Sequence, residues 1–441
     1  METKTEFVSV CGGASLATSI TLPGPGAYPV VIVRTVYGRR NLQTIGDIFG
    51  SHGYAIVIQD VRGSGESSRH FGFLAQEPKD AVETAQWVLD QPWCDGRLAI
   101  LGISYLSAAS IAIAAEFADQ VKAAVWVTAP VTKDLLCFQD GVLRLHHTLP
   151  WTYMRTAPLS GFDPGLLYRK TPLIDAIPQS VDPLWAAMLE EGPRSDFWDG
   201  NDLWDYVRRT RVPGLHFGGW FDFLLDATLV PYSEMVQSGA PQRLVLGPWS
   251  HNGTIGGPEK ISGDVSYGYW SGQREGGPDG VHEDTVDMSS PFIEECLRWF
   301  DFWVKGTGDS PARSSVKCFF TGHRPHWAEL EAWPHPDDCG VKMYLGATAD
   351  ARCSDHDGQF AADCPEAADD RFVADGWPAA GGRGRGILSV FSADWTSGRS
   401  PVAACESFAY DPDDPVATEG GAVWAFPKAG LAPGPSVSSA H

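Results

Sequence analysis

Leu98-Ala99-Ile100-Leu101-Gly102-Ile103-Ser104-Tyr105-Leu106-Ser107 runs from an apolar, strand-like segment through Gly102 into a helix predicted from Tyr105 to Phe117. A serine on so sharp a strand-to-helix turn is held in a strained backbone, with its hydroxyl exposed at the top of a sheet. Gly102 gives the turn room. The N–H of the following residue, at a helix N-terminus, can stabilise an oxyanion. Gly-x-Ser alone is a weak signal, and a serine opening a helix more often caps it. The strand–turn–helix context favours Ser104 as a nucleophile.

Outward from this turn, Tyr28 to Val33, Tyr54 to Ile58 and Ala124 to Val127 are short, almost continuous apolar runs. Such runs suit strands buried on both faces of a parallel sheet. Lys79 to Leu89 is a second helical stretch between them, and the alternation predicts an α/β fold with right-handed crossovers. The pattern stops after Pro130 and resumes near Val212, with strands at Gly214 to Phe217 and Arg243 to Leu246 and a helix from Pro291 to Val304. Between them, Val131 to Arg211 has helical periodicity, many prolines and many aromatics, among them Trp151, Trp185 and Trp198. This interval reads as a helical insertion. From about Ser314, short β-prone pieces such as Val316 to Phe320 and Lys342 to Leu345 alternate with Asp/Gly/Pro turns. The expected division is a core of residues 1–131 and 212–312, a helical cap of 132–211, and a β-rich domain of 313–441 in which Ala379 to Gly386 is a loop.

The chain has 441 residues, a length that suits about three domains at roughly 150 residues each. Fifty-five acidic residues against 33 basic ones give a net charge of −22. That field repels phosphate backbones and anionic headgroups, which excludes nucleic acid and membrane surfaces as expected partners. The most apolar stretch, Leu106 to Ala115, falls well short of the roughly 20 residues that span a bilayer. Met1-Glu2-Thr3-Lys4-Thr5-Glu6 opens no signal peptide. Nine dispersed cysteines without a Cys-x-x-Cys pair fit a reducing cytoplasm better than a disulfide framework. A zinc site between Cys339 and Cys364 competes with isolated thiols, and the thiols are favoured.

A serine hydroxyl stays inert until a base takes its proton, and the base must be oriented. In α/β-hydrolases the partners follow the serine in the order acid, then histidine, on loops after later strands. Gly214 to Phe217 leads through Gly218-Gly219-Trp220-Phe221 to Asp222. Arg243 to Leu246 leads through Gly247-Pro248-Trp249-Ser250 to His251. The separations, 118 residues from Ser104 to Asp222 and 29 more to His251, leave room for a cap and then one helix. Asp226 competes with Asp222 but suits the first turn of the next helix. His216 lies within a strand and reads as packed core. His146 and His147 fall in the cap, where a pair more often marks a solvated helix face than a substrate contact.

These segments resemble the cocaine-esterase and X-prolyl dipeptidyl aminopeptidase family of α/β-hydrolases. The family's Gly-x-Ser-Tyr-x-Gly elbow, Gly-Trp-Tyr/Phe-Asp acid loop and Gly-Pro-Trp-x-His base loop match Gly102 to Ser107, Gly219 to Asp222 and Gly247 to His251. Ile58 to Gly65, Trp93 to Gly96 and Tyr410 to Val416 match in order too. The resemblance implies Ser104 as nucleophile, His251 as general base and acid, Asp222 as the orienting carboxylate, and an oxyanion hole of the Tyr105 N–H and the Tyr37 phenol. The alternative for Tyr37 is a ring packed on the sheet edge with its hydroxyl meeting only water. No cofactor or metal is implied.

Three positions depart from the family. Ser107 replaces the last glycine of the elbow, and Val36 replaces a proline before Tyr37. Only 26 residues follow Pro415, where the family has a long jelly roll. The expected fold is therefore an α/β-hydrolase core with an inserted helical cap and a partial, jelly-roll-like β domain, and a homo-oligomer that covers residues 315 to 430 is expected. Asp411, Asp413 and Asp414 suit turns better than a calcium site. The expected function is a cytoplasmic serine hydrolase acting on a small-molecule ester or amide. Alternatives are an X-Pro dipeptidyl aminopeptidase, which would need an amine-binding carboxylate such as Asp134, Asp140, Glu190 or Glu191, a biosynthetic acyltransferase, and a non-catalytic binding protein.

Overall fold

The computed structural model describes residues 1–139, 141–156, 163–192, 195–198, 200–251, 253–255, 261–262, 265–266, 291–310, 315–321, 325–334, 344–347 and 358–361. One sheet of ten strands organises them. It contains β1 (Glu2–Val10), β2 (Ala14–Leu22), β3 (Tyr28–Thr35), β4 (Ala55–Asp60), β5 (Cys94–Ile103) and β6 (Val121–Val127). It is completed by β7 (Gly214–Gly219), β8 (Gln242–Gly247), β9 (Ser315–Phe320) and β10 (His326–Leu330). The order is β1-β2-β4-β3-β5-β6-β7-β8-β9-β10. Strands β4 to β9 of that row run parallel, while the β1–β2 hairpin and β10 add antiparallel edges. The alternation of apolar runs and helices predicts the α/β sheet, and the family resemblance the α/β-hydrolase core that it forms.

The described α-helices of six or more residues are α1 (Gln43–Ser51), α2 (Glu77–Leu89), α3 (Tyr105–Glu116), α4 (Leu145–Met154), α5 (Pro183–Glu191), α6 (Trp204–Arg209), α7 (Asp226–Val236) and α8 (Pro291–Phe300). Central strands bury both faces, so Val30, Ile32, Leu98 and Ile100 pack with α2 and α3, and Val31, Val33, Ala99 and Leu101 pack with α1 and α8. Successive side chains on a strand point to opposite faces, which is why two covered faces require continuous apolar runs. Helix α3 is apolar all round because it lies between sheet, α2 and insertion, and all of Tyr105 to Ala114 is buried. The described parts of the insertion between β6 and β7 are mainly helical, with one short antiparallel pair of Phe138–Gln139 and Val142–Leu143. Leu149, Trp151, Trp185, Met188 and Val207 of its helices join the same core as α2 and α3.

Two differences from the sequence expectations stand out. Val316 to Phe320, expected to begin a separate β-rich domain after residue 313, lies in β9 and pairs in parallel with β8. Its Val316 and Cys318 pack with Leu244, Leu246 and Trp333. A short β-prone run carries no mark of which sheet it joins, and the open edge of β8 decides it. The second difference is the β1–β2 hairpin, whose Thr- and Ser-rich strands lack an apolar run. Tyr344–Ala347 and Gly358–Ala361 form a separate antiparallel pair. Asp140, Cys339, Cys353, Cys364, Ala379 to Gly386, and Asp411, Asp413 and Asp414 lie outside the described residues. Among the described residues no helix is long and apolar enough to cross a membrane.

Candidate active site

Register brings the candidate residues to one end of the sheet. Ile103 pairs with Val127, Val127 with Phe217, and Phe217 with Val245, so the loops after β5, β6, β7 and β8 leave side by side. The carboxyl ends of parallel strands are where open α/β sheets build ligand sites. Ser104 occupies the first of these loops with φ +56° and ψ −126°, a region costly for any residue with a side chain. Its N–H is held by the Val127 carbonyl at 2.7 Å. Its side chain makes no capping bond to α3. Gly102 is required, because a Cβ there would lie 2.4 Å from Ser107 Cα. Ser107 is small enough for this approach, and its hydroxyl donates to the Val127 carbonyl at 3.3 Å.

Asp222 and His251 meet directly. The His251 Nδ1 lies 3.0 and 2.9 Å from Asp222 Oδ1 and Oδ2. An ionised carboxylate only accepts, so Nδ1 carries the proton and the imidazole lone pair lies on Nε2. Two more donors hold the buried carboxylate. The Leu224 N–H lies at 2.7 Å and the Thr128 hydroxyl at 3.1 Å. Thr128 follows β6 at φ +52°, an outlier for a β-branched residue and beside the acid it contacts. The Phe223 ring lies 5.0 Å from the His251 ring.

Tyr37 follows β3 in a loop whose Val36 is buried, so the departure from proline leaves the phenol in place. The Trp151 indole N–H donates to the Tyr37 oxygen at 3.1 Å. Burial raises the phenol's pKa, opposed by the Trp151 bond, by contact with the Ser104 side chain and by the Arg155 charge. The phenol therefore keeps its proton at neutral pH. An indole N–H only donates, so the Tyr37 proton is left for another acceptor. Tyr37 does not have the water-only hydroxyl of the edge-packing alternative.

Tyr105 is the first residue of α3, where the backbone N–H has no intrahelical partner. Its own hydroxyl points elsewhere and donates to Glu77 Oε1 at 3.0 Å. Glu77 in turn pairs with Arg34 at 2.7 Å, and Arg34 also bonds the Ala109 carbonyl at 2.6 Å and Gln59 at 3.0 Å. A buried ion pair thus braces the turn from below. Burial pushes the Glu77 carboxyl pKa up, and the Arg34 charge opposes that.

The competing residues resolve clearly. Asp226 opens α7. His216 is buried in β7, within 2.8 Å of Gln242 Oε1, and burial lowers its pKa to about 4. The solvated face expected for His146 and His147 is not found. His147 is 4% exposed, with its ring 4.5 Å from Phe223, because α4 folds down over the strand ends. The sequence reading missed Thr128, Phe223 and Trp151 as site neighbours. Thr128 had one signal, its place directly after the strand beside Ser104. A depression lined by Leu22, Pro25 and Trp93 lies at the amino ends of β3 and β5, opposite Ser104. Among the described residues no group of three or more His, Cys, Asp or Glu could hold a metal ion.

Residues 12–253 match the family model described as X-Pro dipeptidyl-peptidase (S15 family). The chain is 25% identical over 450 residues to cocaine esterase of Rhodococcus sp. (strain MB1 Bresler), covering 94% of this chain and 68% of that protein. An aminopeptidase from a marine sediment archaeon, Thaumarchaeota archaeon, superposes with a TM-score of 0.59 at 19% identity, covering 78% of this chain and 64% of that one. An α-amino acid ester hydrolase superposes equally, with a TM-score of 0.59 at 20% identity, covering 78% of this chain and 61% of its own. The chain thus spans under two thirds of the length of these two solved structures.

Proposed function

The chain belongs to the X-Pro dipeptidyl-peptidase (S15) family, and from that premise we propose that it is a serine hydrolase that cleaves a small-molecule ester or amide through an acyl-enzyme. The observation that carries this reading is the Asp222–His251 pair, held on the strand-end loops next to the strained Ser104. Ser104 Oγ attacks the substrate carbonyl carbon while His251 Nε2 takes the hydroxyl proton. The carbonyl oxygen becomes an anion, met by the Tyr105 N–H and the Tyr37 O–H. When the tetrahedral intermediate collapses, the bond to the leaving group breaks and His251 returns the proton to that group. Water then attacks the acyl carbon while His251 Nε2 takes its proton; the bond to Ser104 Oγ breaks, His251 returns the proton to that oxygen, and the carboxylic acid leaves. Asp222 holds the imidazole in the required tautomer and stabilises its charged form. Donors placed for the developing anion lower the barrier more than any other single contribution.

The family's description motivates a second reading, cleavage after an X-Pro unit. That reaction requires a carboxylate to hold the substrate's terminal amine. Asp134, Glu190 and Glu191 are exposed, and Asp134 is engaged by Lys133 at 3.0 Å. This favours the ester or simple amide. A fluorophosphonate probe should label Ser104 and no other serine, and graded p-nitrophenyl esters should be turned over faster than aminoacyl-Pro amides. Failure to label folded protein would sink the hydrolase reading, and the reverse preference would establish the peptidase.

A further inference from the structure

Neither of the two buried ring nitrogens of His147 has a hydrogen-bond partner among the described residues. Native structures seldom leave such groups unmatched, and the exceptions call for a reason. The position supplies one. The imidazole lies between Phe223, at 4.5 Å between ring centres, and Trp151, at 6.5 Å. Phe223 in turn lies against His251 in a tilted ring contact at 5.0 Å, and Trp151 bonds Tyr37. His147 therefore sits in a continuous row of side chains that runs from the oxyanion donor to the base, on the cap side of Ser104.

We propose that His147 determines specificity, by hydrogen-bonding an oxygen on the non-reacting part of the substrate, a carboxylate or carbonyl rather than an ammonium group. The inference rests on the serine-hydrolase reading. The local charge supports it, because the ionisable groups that act on His147 are His251, His146 and Arg144, with no carboxylate among the described residues. Arg144 reaches the same wall, donating to the Phe223 carbonyl at 2.7 Å. Burial first, and then these neighbours, push the His147 pKa well below its usual value. The ring is therefore neutral at pH 7, with one N–H to donate and one nitrogen to accept. An ammonium group would enter beside the Arg144 charge, with no carboxylate among the described groups that act on His147.

The test compares p-nitrophenyl butyrate, mono-p-nitrophenyl succinate and the p-nitrophenyl ester of β-alanine, after Ser104 labelling has established the premise. The wild-type protein should prefer the succinate ester and disfavour the β-alanine ester. His147→Phe should lower the succinate-to-butyrate ratio of kcat/KM about tenfold or more, as for loss of one hydrogen bond to a charged group. His147→Gln, which keeps a donor and an acceptor, should restore part of that ratio and guards against a folding defect in the first variant. A ratio that neither substitution changes, or a wild-type preference for the β-alanine ester, overturns this inference alone. Absence of Ser104 labelling in folded wild type sinks the hydrolase reading and this inference with it.

Discussion

Trp151 of the inserted helix α4 donates its indole N–H to the Tyr37 hydroxyl of the core at 3.1 Å. The bond fixes where the phenol's own proton can point. Tyr37→Phe should lower kcat by on the order of 10²- to 10³-fold, with KM nearly unchanged, because the contact is made mainly in the transition state. Trp151→Phe keeps most of the packing and removes only the orienting bond, so kcat should fall by roughly three- to tenfold. Steady-state kinetics on one activated ester read both, and equal losses in the two variants would show that Tyr37 acts through packing.

Ser104→Ala and His251→Ala should each reduce turnover to background, and the double variant should be scarcely worse than either. Members of a proton-transfer unit lose their effect together, so the losses do not add. Additive losses in kcat/KM would mean that the two residues work separately.

The buried Arg34–Glu77 pair under the elbow predicts a stability effect. Glu77→Gln leaves the guanidinium in place without its counter-charge, and breaking a buried pair from one side costs about 3–5 kcal/mol. Urea unfolding should register a loss of that order, with Ser104 still labelled below the transition. A variant as stable as wild type would show that Gln59 and the Ala109 carbonyl suffice for Arg34.

Three imidazoles give stability a pH dependence. His146 and His216 are lowered to about 4 and His147 well below 6.5, in each case chiefly by burial. The folded protein keeps these rings neutral, while the unfolded chain protonates them as pH falls through about 6.5. Stability from this source is complete above pH 6.5 and is lost progressively towards pH 4. His216→Gln should flatten the slope of unfolding free energy between pH 6 and 4, by up to about 1.4 kcal/mol per pH unit. An unchanged slope would mean that His216 titrates alike in both states.

The core strands were legible because parallel pairing buries both faces, and Val30 to Val33 or Leu98 to Leu101 can serve no other purpose. The Ser104 elbow was legible for a related reason, since Gly102 and a sharp strand-to-helix change leave a local imprint. The strands of the β1–β2 hairpin left none, because β1 is largely exposed and β2 buries Thr18, Ser19 and Thr21 in place of apolar side chains. Contacts such as Thr128 to Asp222 depend on residues 94 positions apart. Only strand order brings them together, and strand order is not written in any short segment. His147 was misjudged because the face that a helix presents to solvent depends on what folds over it.

The insertion between β6 and β7 also orders events in time. Asp222 leaves the ribosome 118 residues after Ser104, and His251 another 29 after that. At about 5–20 residues per second, the elbow exists for roughly 7–30 seconds before a base can reach it. During that interval a nascent chain carries a serine no more reactive than any other. In the proposed reading it gains its activity only once the aromatic helices that cover the strand ends have been made. The layout thus delays the proposed chemistry until its own cover is present.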